Sequence, residues 1–273
     1  MNLKRILTSL IGFPLVVLII ALGTAPIIDF ALMIVAIICM YEYIEVVSKV
    51  CNPIKWVMYL STFIIFLVSV IPENIMKYIL LFSVPVTLLI LFLHIIISDM
   101  KVTFKDVAYT FLGIAYITGF ITFLSLIVTQ EKGKLTFGYI LMTAWATDVF
   151  AYTAGKTFGK HYFSKVSPKK TIEGCIVGII GAIIVGFIYA IIANKVGAIQ
   201  INGIQYLYAI IIPLILSVIS QIGDFTASSI KRFADAKDYG SILPGHGGML
   251  DRIDSVIYIA PFVYMIMIFM QQF

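Results

Sequence analysis

The sequence predicts an all-α polytopic membrane protein with about nine transmembrane helices and a cytoplasmic N-terminus. Of its 273 residues, 61% are hydrophobic and only 12% are charged, a composition outside the usual range of soluble globular domains. The apolar residues form continuous runs of about 20, the length that a helix needs to cross the hydrocarbon layer. Strands of a membrane barrel would instead alternate apolar and polar residues, so the runs favour helices.

The candidate spans are expected to form a single integral membrane domain over residues 1–273. Its first part, residues 1–130, consists of apolar N-terminal helices, whereas residues 137–273 combine apolar runs with polar loops. The runs lie near residues 6–23, 27–47, 56–71, 78–97, 107–128, 137–154, 175–194, 206–224 and 253–270. The first run could be a signal peptide, but its length and the spans that follow favour an uncleaved helix.

Positive charge predicts the orientation of the chain. If the spans alternate from a cytoplasmic N-terminus, few of the 19 Lys and Arg residues fall in the outside segments. Those few are Lys77, Lys132, Lys134 and Lys195. All others lie on the cytoplasmic side, as the positive-inside rule requires. The two longest connections, near residues 155–174 and 225–252, fall on that side as well.

Isolated polar residues in the first half have ordinary interpretations. Glu42 and Glu45 share one face near the cytoplasmic end of the second span. We favour an interfacial pair whose charges are balanced by nearby lysines over the alternative that one of the two orients a basic site residue. Asp29 is expected to cap the second span, and His94 to be a hydrogen-bonded core residue. The three cysteines show no metal or disulfide spacing and are expected to be core residues.

The sixth span carries polar residues inside an apolar run. Asp148 and Tyr152 lie one helical turn apart, and a lysine-rich loop that includes Lys169 and Lys170 follows. An intramembrane aspartate is costly and usually functional, although a hydrogen bond between packed helices is the alternative. Proline and glycine among the lysines favour an ordered anion-binding loop over a plain positive flank.

Charge is concentrated again where the eighth span ends and the ninth begins. Polar residues at the end of the eighth span form one stripe if the helix is continuous. The stripe consists of Gln221, Asp224, Ser228 and Lys231. Asp251 and Asp254 open the ninth span on one helix face. Two helix ends are therefore expected to bring carboxylates to the same cytoplasmic rim.

Carboxylates beside lysine and arginine indicate a ligand that carries both a divalent cation and phosphate groups. Mg²⁺ is commonly held by one or two carboxylates together with phosphate oxygens and water, while Lys and Arg neutralise the remaining phosphate charge. The turn Gly245-His246-Gly247-Gly248 allows backbone N–H groups to approach an anion closely. These features together predict a metal–phosphate site.

The charged segment reads Ser228-x-Ile-Lys-Arg232, then Lys237-Asp238-x-Gly240, then Leu243-Pro-x-His-Gly-Gly-Met-x-Asp251-Arg-Ile-Asp254. This pattern resembles the signature of the phosphatidate cytidylyltransferases, also called CDP-diacylglycerol synthases, without an evident departure. The segments from Asp148 to Lys156 and from Ser167 to Gly174 also resemble segments of that family. The first half of the chain resembles the family only in hydropathy and in the number of spans.

The resemblance implies a reaction in which CTP and phosphatidate give CDP-diacylglycerol and pyrophosphate, with Mg²⁺ as the cofactor. A phosphatidate oxygen would attack the α-phosphorus of CTP in line, and no general base is assigned because phosphatidate is already ionised at neutral pH. The site would lie on helices and cytoplasmic loops of residues 137–273. We expect a protein of the bacterial inner (plasma) membrane whose active site faces the cytoplasm, a homodimer by family resemblance, and no nucleic-acid partner.

Residue roles follow from position and resemblance together. The residues expected at the catalytic centre are Asp224, Asp251, Ser228, Lys231 and Arg232. Those expected to bind substrate are Lys169, Lys170, Lys237, His246, Gly247, Gly248, Arg252, Asp148 and Asp254. Asp224 and Asp251 are the expected metal ligands, with Asp148 and Asp254 as further candidates. His246 either donates to a phosphate or fixes its loop.

Two other functions fit part of the pattern. A CTP-dependent polyprenol or dolichol kinase would share the nucleotide site but transfer the γ-phosphoryl group and release CDP. The complete signature favours the cytidylyltransferase over this kinase. An ion-coupled transporter would spread charges through the membrane depth, whereas here the charges crowd at one face.

Overall fold

A computed structural model describes residues 3–164, 166–242 and 247–271. Within those ranges the chain forms α-helices and one π-helical turn, Ile114–Gly119, with no extended strand. The helices are α1 (Leu3–Leu22), α2 (Ala25–Val47), α3 (Lys55–Ser61), α4 (Phe63–Leu67), α5 (Glu73–Ile97), α6 (Phe104–Gly113), α7 (Phe120–Thr129), α8 (Gly133–Phe158), α9 (Ile172–Lys195), α10 (Gln205–Phe233) and α11 (Leu250–Gln271). The predicted all-α class is confirmed.

Six helical segments in the described ranges are long and apolar enough to cross a membrane. They are α2, α5, the continuous segment from α6 through the π-helical turn to α7, α9, α10 and α11. The chain is therefore an integral membrane protein. The predicted third span contains two short helices, α3 and α4, which are separated by Thr62. The Thr62 hydroxyl donates a hydrogen bond to the Tyr59 carbonyl at 2.7 Å. The count of nine spans and the cytoplasmic N-terminus stay predictions.

By internal contacts the chain divides into two compact units, of which the first comprises residues 1–129 and 230–252. Its core is built on α2, whose Tyr43 is fully buried and donates its hydroxyl to the Tyr109 carbonyl at 3.0 Å. A Cβ on Gly113 would lie 2.5 Å from the Tyr43 ring, so α6 can pack there only with glycine. The end of α10 joins this unit through Phe233, which stacks on Tyr109 at 5.3 Å.

Asp29 does not cap α2, contrary to the expectation from its position. Thr24 is the N-cap residue, and Asp29 is fully buried in the following turns. Its carboxylate accepts hydrogen bonds from the Ser125 hydroxyl at 2.5 Å and from the Ser69 N–H at 3.1 Å. A buried carboxylate requires such partners, and here they tie α2 to α7 and to the segment after α4. His94 is only half-buried, and its ring meets the Trp56 ring edge-on.

The second unit comprises residues 130–229 and 253–273 and is organised by the packing of α9 on α8. Glycines on α9 allow close approach, because a Cβ on Gly178 would lie 2.9 Å from the Thr147 carbonyl oxygen and one on Gly181 would overlap the Phe150 ring. Small residues at helix interfaces are typical of membrane proteins. A hydrogen bond of 2.9 Å from Thr147 to the Ser217 hydroxyl then fastens α8 to α10.

The opposite face of α9 is an exposed ridge of isoleucine at every fourth position. Its members are Ile172, Ile176, Ile180, Ile184, Ile188 and Ile192. Gly178 is offset by two residues from Ile176 and from Ile180, which places it on the opposite side of the helix from them. The three cysteines, Cys39, Cys51 and Cys175, are buried and free, as predicted.

Candidate functional site

Asp251 organises the charged loop, by which we mean residues 234–242 and 247–249 between α10 and α11. Its side chain is only 7% exposed, and Oδ1 accepts a hydrogen bond from Lys231 Nζ at 2.5 Å. Oδ2 accepts from the Tyr239 N–H at 3.0 Å and from the Gly248 N–H at 3.2 Å. Charge-assisted hydrogen bonds of this kind are about twice as strong as neutral ones. The carboxylate therefore joins both ends of the charged loop to the end of α10.

Glu42 of α2 holds the same loop from another side. It is 1% exposed, and its oxygens accept from the Met249 N–H at 2.9 Å and the Leu250 N–H at 2.8 Å. These N–H groups open α11, where a helix offers unpaired donors and a dipole that favours a carboxylate. The interpretation of Glu42 and Glu45 as an interfacial pair that answers lysines is therefore wrong for Glu42, although Glu45 is exposed.

Sequence reasoning missed Glu42 because its partners are remote in the chain. The cost of a carboxylate inside an apolar helix is a signal that some partner exists. The partner itself is 207 residues away, and it consists of main-chain groups, which carry no sequence signature.

Several predicted phosphate ligands surround this frame in the first unit. Arg232, Lys237 and Arg252 are exposed, and Arg232 also donates Nη1 to the Ala236 carbonyl at 3.0 Å. Gly247 adopts a positive φ of 88°, which favours glycine, and Gly248 is buried. His246 lies outside the described residues. Exposed cations on a rigid frame suit the binding of an anion.

The second unit brings Asp224 of α10 together with Lys170. Their side chains form an ion pair in which the Asp224 carboxylate remains 26% exposed. Lys170 Nζ also lies 4.6 Å from the centre of the Phe225 ring, a cation–π contact. The structure thus connects the lysine-rich loop predicted to bind anions with the end of the eighth predicted span.

That lysine-rich loop, residues 159–171 without Lys165, is held by hydrogen bonds. The Phe163 N–H donates to the Lys170 carbonyl at 3.0 Å and the Ile172 N–H to the His161 carbonyl at 2.9 Å. Glu173 in the first turn of α9 contacts His161 Nδ1 at 2.6 Å and accepts from the Lys160 N–H at 3.2 Å. These contacts agree with an ordered loop and not with a plain positive flank.

A cavity of about 530 Å³ lies in the second unit between the lysine-rich loop, α9 and α10. Its wall is mainly apolar, and Phe163 stacks on Phe225 with ring centres 4.8 Å apart. The polar lining residues are Ser164, Gln221, Thr226 and Ser229. The side-chain amide of Gln221 already has one hydrogen-bond partner, because its Nε2–H donates to the Cys175 carbonyl at 3.2 Å.

The remaining predicted residues of the second unit are divided between its surface and its core. Asp148 is exposed on α8, and Lys169 is also exposed. Ser228 and Asp254 are buried, and Asp254 Oδ1 accepts from the adjacent Ser255 N–H at 2.7 Å. Asp148 and Lys169 therefore lie at the surface of the unit, whereas Ser228 and Asp254 lie in its interior.

The predicted metal ligands can be compared with what Mg²⁺ requires. Across the described ranges no cluster of three or more His, Cys, Asp or Glu side chains is assembled as a metal centre. A magnesium ion carried by a nucleotide needs only one or two protein carboxylates, because phosphate oxygens and water complete its shell. Asp224 and Asp251 stay predictions as metal ligands, and Asp224 is the more exposed of the two.

Comparison with known proteins shows similarity along the whole chain. Residues 3–270 match the sequence model of the cytidylyltransferase family. The chain is 35% identical over 181 residues to the phosphatidate cytidylyltransferase of Bacillus subtilis. The aligned region covers 66% of this chain and 65% of that relative. It is 33% identical over 170 residues to the phosphatidate cytidylyltransferase of Thermotoga maritima, and this aligned region covers 62% of both chains. The chain thus spans just under two thirds of the length of these curated relatives.

Proposed function

The chain belongs to the cytidylyltransferase family, and on that premise we propose that it converts CTP and phosphatidate into CDP-diacylglycerol and pyrophosphate. The observation that carries the proposal is the frame around Asp251. This frame orders the signature segment with Lys231 and leaves Arg232 and Arg252 exposed for phosphate groups. The names of the Bacillus and Thermotoga relatives point to the same reaction.

The chemistry is a substitution at phosphorus. A phosphatidate oxygen forms a bond to the α-phosphorus of CTP while the bond from that phosphorus to the β-phosphate oxygen breaks, and pyrophosphate leaves. The attacking phosphate is already ionised at neutral pH, so the reaction needs no general base. Negative charge grows on the leaving pyrophosphate, and exposed Arg232, Lys237 and Arg252 are the groups we assign to offset it.

Asp224 and Asp251 are the residues that we assign to Mg²⁺, with Asp148 and Asp254 as further candidates. When bound, the ion neutralises triphosphate charge and orients the leaving group. Lys170 and Lys231 fix the two carboxylates by ion pairing. Ser228 is assigned to phosphate binding on its position in the signature, and Lys169 to substrate binding on its exposure.

The lipid substrate suggests a role for the cavity of the second unit. Its apolar wall suits an acyl chain or the glycerol end of phosphatidate. We place the active site at the cytoplasmic face of the bacterial inner membrane, where CTP is available and where most Lys and Arg residues are predicted to lie. The homodimer suggested by family resemblance is part of the same proposal.

The test supplies purified protein with CTP labelled at the α-phosphate, phosphatidate and Mg²⁺. We expect label in the organic phase and release of pyrophosphate. A parallel reaction with γ-labelled CTP separates the alternatives, because a lipid kinase would label its lipid from the γ-position and release CDP. Label that enters lipid only from the γ-position would overturn the proposal.

The variant Asp224→Asn tests the assigned metal ligand. We expect it to lose at least about 100-fold in turnover, a loss typical of a group that stabilises transition-state charge, while its melting temperature stays close to that of the wild type because the ion pair is partly exposed. Asp235→Asn is the matched control, since this carboxylate is exposed and outside the predicted site. Wild-type turnover in Asp224→Asn would remove Asp224 from the site.

A further inference from the structure

Glu42 accepts hydrogen bonds from two consecutive N–H groups at the start of α11. Oε1 accepts from Met249 at 2.9 Å and Oε2 from Leu250 at 2.8 Å. One such bond would fix a distance, whereas two from one rigid carboxylate to adjacent donors also fix the rotation of the first helical turn. The residue itself is 1% exposed, so it cannot contact a substrate.

Two glycines of the signature segment pack directly on this carboxylate. A Cβ on Gly240 would lie 2.8 Å from Oε1, and a Cβ on Gly248 would lie 2.7 Å from Oε2. Both distances are shorter than ordinary van der Waals contacts. These glycines are therefore required because the Glu42 carboxylate occupies the space that a side chain would need.

The turn held by Glu42 is the same turn that Asp251 holds. Gly248 donates its N–H to Asp251 Oδ2 and packs on Glu42 Oε2. Asp251 in turn pairs with Lys231. A shift of the Glu42 carboxylate would therefore move the main chain that positions Asp251 and the adjacent Arg252.

We propose that Glu42 is a positioning residue for the nucleotide: it holds the turn of residues 247–250 so that Asp251 and Arg252 are presented in the geometry that CTP requires. This inference rests on the proposed function. It assigns to α2, in the half of the chain that carries no signature motif, an indirect part in the affinity for CTP, exerted through Asp251 and Arg252.

The test compares Glu42→Gln with Glu45→Gln in steady-state kinetics. Glutamine keeps one acceptor but turns an NH₂ group toward a main-chain N–H, which breaks one of the two bonds. We expect kcat/KM for CTP to fall by about 10- to 100-fold, since a misplacement of about 1 Å can cost about 100-fold. Most of the fall should appear in KM, because the displaced groups are the ones assigned to bind CTP. Glu45→Gln changes the same chemistry three residues away at an exposed position and should stay within about twofold of the wild type.

KM for CTP separates positioning from a merely structural role. Loss of folded protein lowers the apparent maximal rate but leaves the KM for CTP unchanged, whereas a displaced turn raises that KM. A folded Glu42→Gln variant with the wild-type KM for CTP would overturn the inference, whatever its kcat.

Gly240→Ala tests the same contact from the other partner and decides the matter if Glu42→Gln does not fold. Its new Cβ displaces the Glu42 carboxylate, so the KM for CTP should rise as it does in Glu42→Gln. In the double variant the two effects should not multiply, because both act through one contact. Gly119→Ala is the control, since its Cβ would meet nothing closer than 3.8 Å.

Failure of the inference and failure of the proposed function give different results. A wild-type protein that does not form CDP-diacylglycerol overturns the proposed function and the inference with it. An active wild type, together with an unchanged KM for CTP in Gly240→Ala, overturns the inference alone.

Discussion

Replacing Asp251 by asparagine should destabilise the protein as well as inactivate it. Both oxygens of the carboxylate accept hydrogen bonds. Oδ1 accepts from Lys231 Nζ, and Oδ2 accepts from the Tyr239 and Gly248 N–H groups. An amide has one acceptor and one donor end. Whichever way the new amide turned, its NH₂ group would therefore face a donor that the carboxylate now satisfies.

The size of the effect follows from these contacts. If the amide oxygen stays with Lys231, two main-chain N–H groups lose their acceptor, at about 1–3 kcal/mol each. If it turns to the main chain, the buried ammonium of Lys231 loses its partner, at about 3–5 kcal/mol. The side chains of Asp251 and Lys231 are 7% and 10% exposed, so solvent screens little of either loss. We expect the free energy of unfolding to fall by about 3 kcal/mol.

The assay is thermal unfolding in detergent, followed by tryptophan fluorescence. A loss of about 3 kcal/mol corresponds to a fall of at least about 6 °C in the melting temperature of a chain of this size. The control Asp235→Asn, at an exposed carboxylate of the charged loop, should change the melting temperature by no more than about 2 °C. If Asp251→Asn melts together with this control, Asp251 does not hold the loop in the way described.

Further predictions concern the helix packing and a buried thiol. Gly178→Val should lower the free energy of unfolding by about 2 kcal/mol, because the new side chain overpacks against Thr147. The same melting assay measures this loss, and the control Gly119→Ala should not show it. Equal melting temperatures for the two variants would contradict the α8–α9 contact. Burial raises the pKa of the Cys51 thiol to about 11, which disfavours the reactive thiolate. In a chain with only Cys51, iodoacetamide alkylation should rise about tenfold per pH unit from about pH 7 to 10, below that pKa. An exposed cysteine introduced by Ser241→Cys should instead level off near about pH 8.5; levelling of Cys51 at that pH would contradict its burial.

Part of the arrangement around the charged loop was predicted from the sequence. Asp251, Lys231 and Gly248 were assigned from a motif, and the structure brings these three together. Such a motif is informative because its residues lie within one short segment, whose ends can meet through a single turn. The choice between an ordered and a plain lysine-rich loop needed the structure, which pairs Lys170 with Asp224.

Errors of interpretation occurred where a polar side chain finds its partner far along the chain. Asp29 looked like a cap because it lies near the start of a span, yet its partners are Ser69 and Ser125. Glu42 looked like an interfacial residue, yet it binds the main chain at Met249 and Leu250. In both cases the carboxylate and its partners meet only when separate helices pack.

The sequence by itself determined that this is an all-α membrane protein, and it predicted that the chemistry lies on the helices and loops of residues 137–273. Hydropathy and charge are local properties, and lipid permits only structures that satisfy their own backbone groups. Only the tertiary structure decided how the charged loop is held, with Asp251 on one side and Glu42 on the other. A hydrogen bond acts over about 3 Å in space, so its partners are set by helix packing and not by distance along the chain.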